Sequence, residues 1–449
     1  MDEDTVLRSV TATIDASGVF LVFITLCVFL LPVFLIFPPV PPSKRDALLQ
    51  THSSVSLTRS GLETNVSPDK SSQVSPGTIR SLWIYPVKSC KGIEVGQSKV
   101  LPTGLEFDRI YTFAQLKSRF PVSLDASDEE KSEHKWEFIT QRKYPLLATV
   151  QVDLYVPDIS KSRAQPQLSK SGDVFIVVHF PWREAGFRGV LQWIAAKLAR
   201  GRHAVPEKEI VLPAAFPPQQ EIEERGYTYE PVTIWKDTIM ALNMEADLPR
   251  ELAPYLGVSN RLGIFRVDPA RLRQVFRCAP TKADAGYQPL TGFQDAYPLH
   301  LLNLSSLRDL DAKIQKDDNL RNLDPRRFRA NIIIDGLSAY DEETWKTLRF
   351  TPGPSSRHQP SRFHVSCRTV RCKLPNVDPD NGVRHPVEPD KALRKFRDVD
   401  EGAKYKGCLG MQLTPLFDKM QSPDDLESYV EVGMFVDILD RGTHVYISQ

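Results

Sequence analysis

Neither sign of charge is in excess in this sequence: 57 lysines and arginines stand against 56 aspartates and glutamates in 449 residues. No overall basic field draws such a chain to nucleic acid, and no acidic surplus holds it unfolded. Any anion site must be local. A disulfide framework is missing as well, because the six cysteines (Cys27, Cys90, Cys278, Cys367, Cys372, Cys408) are scattered and none forms a CxxC or CxxCH pair. That pattern excludes a small secreted scaffold and a c-type haem attachment and favours a reducing compartment. There is no Rossmann fingerprint and no internal repeat of useful period. What the chain does have is 41% hydrophobic residues, enough for one large or two medium domains, with 35 prolines and 23 glycines in short clusters. This is the texture of many short strands joined by turns.

One long uncharged run occurs, residues 18–37 (GVFLVFITLCVFLLPVFLIF). As a helix it would span about 30 Å of hydrocarbon, and Pro32 is tolerable there. A cleaved signal peptide fits less well, since the preceding residues 1–17 are acidic and PPVPPSKR follows in place of a small-residue cleavage site. The sequence thus predicts a single transmembrane anchor, and Lys44 and Arg45 just beyond it place the carboxy-terminal bulk in the cytosol. Residues 38–77, rich in Ser, Thr and Pro, read as a flexible tether.

From residue 78 onward short β-branched and aromatic runs predict strands at 78–87, 108–116, 146–156 and 173–180. The segments 123–135 and 157–171 read as polar loop insertions. Further strands are expected from 231, at 262–267, after the basic run at 326–329, and at 434–439. Helices are expected at 246–258, with Leu248, Leu252 and Leu256 at helical spacing, and at 304–315, capped by Ser305 or Ser306.

Four segments set positive charge or a soft ligand beside a turn or strand end. YPVKSCKG (85–92) presents Lys88, Ser89 and Lys91 where a strand breaks at Pro86, a turn in which an ammonium and backbone amides can bind an anion, although a strand ending in lysines is usually a solvated edge. FDRIYTF (107–113) sets Asp108 and Arg109 between apolar residues, as a structural ion pair also would. RRFRANIII holds Arg326, Arg327, Arg329 and Asn331, guanidinium and amide groups fit for phosphate and heterocycle edges, or a solvated basic loop. In SCRTVRCKLPNVDPDNG (366–382), Arg371 beside Cys372 favours a thiolate, a soft ligand for a redox-active metal. Adjacency to arginine is shared by Cys278 and Cys367, so it does not single out Cys372. A zinc site of His364, Cys367 and Cys372 lacks a clear fourth ligand. Cys90, Cys278, Cys367 and Cys408 read as small buried hydrophobes.

Taken together YPVKSCKG, GLEFDR, ITQRKYP, FRANIIIDG, RCKLPNVDPDNG and VGMFVDIL resemble the MOSC superfamily, and within it the amidoxime reducing components, from about residue 78 to the end. The resemblance implies an α+β, β-rich fold: a MOSC amino-terminal β domain (78–245) and a MOSC β-barrel-like domain (246–449) behind the one transmembrane helix. It implies a molybdenum cofactor (Mo-molybdopterin) held by Lys88, Ser89, Arg109, Arg329, Asn331 and Arg371, with Cys372 as the catalytic thiolate ligand of the metal. It further implies reduction of small N-hydroxylated substrates with electrons from cytochrome b5 and its NADH-dependent reductase, at the outer mitochondrial membrane. The alternative function is a cofactor carrier or sulfur-transfer module. Two departures stand out: FRPN of the family reads FRAN here, and its Asp-Thr-Ser-Pro loop reads DAYP (295–298), without the hydroxyls.

Overall fold

A computed structural model describes residues 16–36, 43–62, 77–118, 127, 134–158, 160–161, 173–354, 356–417 and 426–447. They divide into two compact units, one of residues up to Ala47 with Pro181–Glu207, the other of Leu48–Phe180 with the residues from Lys208 onward.

In the first unit the uncharged run forms the helix Ala16–Ile36, with exposed side chains from Val19 to Leu31. Among the described residues no helix is long and apolar enough to cross a membrane. The anchor expected at 18–37, and the single-pass topology derived from it, are therefore corrected. A helix that the sequence reading did not foresee, Gly186–Arg200, repeats apolar residues at Phe187, Leu191, Ala195 and Leu198. It ends at Gly201, whose φ of 98° closes the last turn on the Lys197 carbonyl.

The second unit is β-rich. Its smaller barrel is closed by the strands Thr228–Ile234, Asp237–Asn243, Leu262–Val267, Tyr111–Ser118 and His134–Phe138 in that order. Inward residues of each strand, among them Ala114, Trp136, Val232, Ala241 and Phe265, fill the interior. Alternation along a strand sends every second side chain to that core. The single strand expected from residue 231 is in fact a hairpin: Ile234 pairs with Asp237, leaving Trp235 and Lys236 as a two-residue turn.

The larger sheet has eight strands, in the order Ile332–Asp335, Leu299–Asn303, Cys408–Leu416, Ser361–Val370, Trp345–Thr351, Phe435–Arg441, Thr78–Ile84 and Ile93–Val95. Pairing of Ile332–Asp335 with Thr78–Ile84 brings the sheet back on itself. Residues near both ends of the unit thus share one sheet. The helix Leu304–Ala312 packs Leu304, Leu307 and Leu310 on it with Phe328 and Leu393. Its cap is Asn303, which accepts from the Ser305 amide, in place of the serines expected.

A four-stranded sheet joins His52–Ser54, Gln151–Pro157, Phe175–Pro181 and Glu207–Pro213. Its first strand corrects the expectation of a tether throughout 38–77: His52 is buried and its Nε2 lies 3.0 Å from the Asp173 carbonyl. The loop expected over 123–135 gives way to strand from His134, and most of it, like most of 157–171, lies outside the described residues. The helix expected at 246–258 shrinks to Leu252–Leu256, with Pro254 inside its first turns.

Candidate functional site

The chain leaving the strand Thr78–Ile84 runs alongside residues 109–111. The Arg109 amide donates to the Tyr85 carbonyl (2.8 Å), the Tyr111 amide to Pro86 (3.0 Å), and the Lys88 amide to Tyr111 (2.8 Å). This ladder sets Lys88 and Arg109 in one place. Lys88 is buried, not a solvated edge, and its Nζ donates to the Phe293 carbonyl at 2.6 Å and to Asp295 Oδ1 at 2.7 Å. Burial pulls its ammonium down to about 8 despite the Asp295 carboxylate. Burial would raise the Asp295 carboxyl, but the Lys88 ammonium, the Trp235 indole and Arg109 hold it well below its ordinary range.

Arg109 donates to Asp108, to Asn331 Oδ1 at 3.3 Å and to the Arg329 carbonyl at 3.2 Å. Asp108 in turn accepts from the Tyr85 amide at 2.8 Å. Arg329 donates from Nη1 to the Cys90 carbonyl (2.7 Å) and to Gln141 Oε1 (3.3 Å). Both guanidiniums lie over the Tyr85 ring, at 5.0 Å for Arg109 and 4.1 Å for Arg329. Arg371 donates to the Phe328 carbonyl at 2.9 Å. Burial lowers Arg329 and Arg371 to about 10, which leaves both charged at neutral pH.

Three features mark this cluster. First, Lys88, Arg109, Arg329 and Arg371 outnumber Asp108 and Asp295, so it favours an anion. Second, buried polar atoms lack partners: Arg329 Nη2, Arg371 Nε and His300 Nε2. Such atoms are costly to leave unmatched, and a ligand with acceptor oxygens would satisfy the two guanidinium donors. Burial, then Arg371 and Arg109, hold the His300 imidazole well below its ordinary range, so the ring is neutral. Third, Ser89, Arg109 and Arg329 have φ of 68°, 52° and 53°, a left-handed conformation that non-glycine residues adopt at a cost and that gathers at ligand sites. Gly410 supports the same corner: at φ +80° a Cβ would sit 2.4 Å from His300 Nε2.

The structure therefore brings Lys88, Ser89, Arg109, Arg329, Asn331 and Arg371 into one region. Asn331 is fully buried, accepting from the His300 amide (3.2 Å) and donating to the Trp83 carbonyl (3.2 Å), so its amide is engaged by the protein and orients Arg109. Cys372 follows Arg371 directly and is exposed. Cys90, Cys367 and Cys408 are buried, whereas Cys278 is only half-buried. Contact with the Cys367 thiol pulls Cys278 down to about 6. Among the described residues no group of three His, Cys, Asp or Glu is placed to hold a metal.

Arg326 and Arg327 belong elsewhere. Arg326 is bidentate to Asp380 (2.9 and 2.7 Å), and Arg327 donates to Asp378 (2.6 Å) and to the Pro375 and Asn376 carbonyls. They clasp the loop that follows Cys372. Residues not assigned a role in the sequence reading are Tyr85, Gln141, Trp235, Asp295 and His300. Asp295 had a signal, the DAYP loop, which has lost hydroxyls yet supplies the Lys88 counter-ion.

Residues 76–174 match the MOSC N-terminal beta barrel domain and residues 290–433 the MOSC domain. The protein thus carries both domains of the MOSC architecture. Among named relatives, it is similar to mitochondrial amidoxime reducing component 2 of Rattus norvegicus, 24% identical over 343 residues, covering 76% of this chain and 77% of that one. Mitochondrial amidoxime-reducing component 1 of Homo sapiens is 24% identical over 326 residues, 72% of this chain and 73% of that protein. Component 1 of Danio rerio reaches 30% over 122 residues, 27% of this chain and 34% of that one.

Proposed function

We propose that this protein is a molybdenum-cofactor oxidoreductase that reduces small N-hydroxylated compounds with electrons from a separate donor. The observation that carries this reading is the buried cationic cluster with its unpartnered donors on Arg329 and Arg371. Those donors and the net charge of the cluster fit the phosphate and heterocycle of a pterin cofactor.

In this reading Lys88, Arg109, Arg329 and Arg371 hold the anionic and acceptor groups, the Ser89 turn brings backbone close to them, and Asn331 holds Arg109 in place. The Cys372 thiolate is the protein ligand of the metal. A bound cofactor would supply two-electron redox chemistry, by which two electrons and two protons reduce the N-hydroxyl group and release its oxygen as water. The chain itself contributes binding, orientation and a fixed positive field. The clasp of Arg326 and Arg327 on Asp378 and Asp380 fixes the loop beyond Cys372. The resemblance supports cytochrome b5 and its NADH-dependent reductase as the donor, and the names of the relatives support a mitochondrial setting.

The test is NADH consumption with an amidoxime, cytochrome b5 and its reductase, run beside a Cys372→Ala variant and a reaction without cytochrome b5. Substrate-dependent turnover lost in both controls is expected. Molybdenum-replete protein that oxidises no NADH with several N-hydroxylated compounds, yet delivers its cofactor to an apo-enzyme, would instead be a carrier.

A further inference from the structure

A cavity of about 770 Å³ opens on the smaller barrel, at the hairpin turn where Trp235 sits. We propose that it is a second binding site, for a small molecule that carries a carboxylate on an apolar body. Phe138, Ile139 and Trp235 form its apolar side, with the Phe138 and Trp235 rings edge to face at 5.2 Å. Among the described residues its charged side holds Arg142 and Lys143, together with Lys117, which pairs with Glu137, and Lys135, which has an interaction of its own. Positive charge beside an aromatic corner selects an anion with an apolar tail. A guanidinium fork matches a carboxylate bidentately.

The lining is built, not incidental. Arg142 and Lys143 stand on a tight turn in which the Lys143 and Tyr144 amides both donate to the Thr140 carbonyl at 2.9 Å. Arg384 holds that turn through the Arg142 carbonyl. The Arg142 guanidinium lies 4.8 Å from the Trp235 ring, which orients it without neutralising it. Trp235 has a φ of 57°, in a two-residue turn where glycine or asparagine is the usual occupant. A large aromatic residue in that conformation is a cost to the fold, and its contacts with Phe138, Arg142 and Asp295 still leave it 42% exposed, with a face open to a ligand. The indole Nε1 also donates to Asp295 at 3.1 Å, so Trp235 is the wall between this cavity and the Lys88 cluster.

The inference does not rest on the cofactor reading: Arg142 and Lys143, which would hold the carboxylate, are outside the cationic cluster, and Trp235 and Phe138 meet it only through Asp295 and Lys88. Titration calorimetry on the full chain, with phenylacetate as probe and the neutral phenylacetamide beside it, tests it. Phenylacetate should bind one site at least about tenfold more tightly than the amide, the scale of a charge-assisted hydrogen bond. Arg142→Gln should weaken phenylacetate by about tenfold while leaving the amide unchanged, and Lys143→Gln should act in the same direction. Trp235→Gly, which suits the turn, should weaken both probes. Protein with and without bound metal should bind phenylacetate alike, so failure of the cofactor reading would not imitate failure here. Equal affinity for acid and amide, indifference to Arg142→Gln, or inorganic phosphate displacing phenylacetate at similar concentration would overturn the carboxylate site.

Discussion

Replacing Lys88 by methionine should make the protein more stable while destroying its anion site. The ammonium is only 5% exposed, and its fall from 10.5 to about 8 already includes the help of Asp295. At about 1.4 kcal/mol per unit, keeping it charged at pH 7 costs the fold roughly 3 kcal/mol. Methionine of similar length removes that cost and packs against Phe138, over whose ring the ammonium now lies at 5.4 Å. What is lost is the ion pair to Asp295; its help to the lysine is already inside that figure, which leaves about 1 kcal/mol lost on the Asp295 side. The net expectation is a gain of about 2 kcal/mol, read from the denaturant midpoint. The pH dependence supplies a second check. The native state releases the Lys88 proton near pH 8 and the unfolded chain near 10.5. Between those values the unfolded state binds more protons, so stability of the parent protein rises with pH, and that rise should be missing in the variant. Molybdenum content should fall in parallel. A variant destabilised by more than about 1 kcal/mol, or one retaining the rise above pH 8, would refute the account of Lys88 as a strained cation kept for binding.

Cys372→Ala should remove one sulfur neighbour from the metal in X-ray absorption, while Cys367→Ala and Cys408→Ala leave the spectrum unchanged. Arg329→Ala should weaken cofactor retention by about 1.5 to 3 kcal/mol, one buried charge-assisted hydrogen bond, measured as the rate of molybdenum loss on dilution. Arg327→Ala should cost about 3 kcal/mol of stability in chemical denaturation, because its guanidinium is 2% exposed and serves Asp378 and two carbonyls. A loss below about 1 kcal/mol would show that the loop after Cys372 does not depend on this clasp.

The β-rich fold was legible because its strands announce themselves locally, as in TIRSLWI and LGIFRV, where branched and aromatic residues sit between turns. Ser361–Val370 was not, since SRFHVSCRTV mixes polar and basic residues with apolar ones and drew attention as ligand chemistry. Its alternating burial comes from neighbours on both sides that are remote in sequence. The site shows the same limit. Arg326, Arg327 and Arg329 look interchangeable along the chain, yet the short helical turn Pro325–Phe328 ends at Arg329 in a left-handed conformation. That geometry sends Arg329 to the Cys90 carbonyl and leaves the other two on aspartates. Asp295 lies 207 residues from Lys88, a distance at which no local pattern signals an ion pair.

The return of the larger sheet on itself, with Thr78–Ile84 between Phe435–Arg441 and Ile332–Asp335, bears on how the protein is made. The strand that leads into Lys88 emerges early from the ribosome, but one of its partners is translated about 350 residues later, tens of seconds at ordinary rates of synthesis. During that interval the strand can pair with the nearby Ile93–Val95, while the edge that awaits its late partners is open to other chains. The cationic cluster draws on residues from Lys88 to Arg371, so it cannot form on a nascent chain stopped before that arginine. On the cofactor reading, loading would therefore discriminate against chains terminated before Arg371, which lack part of the cluster and would stay in the pool cleared by proteases.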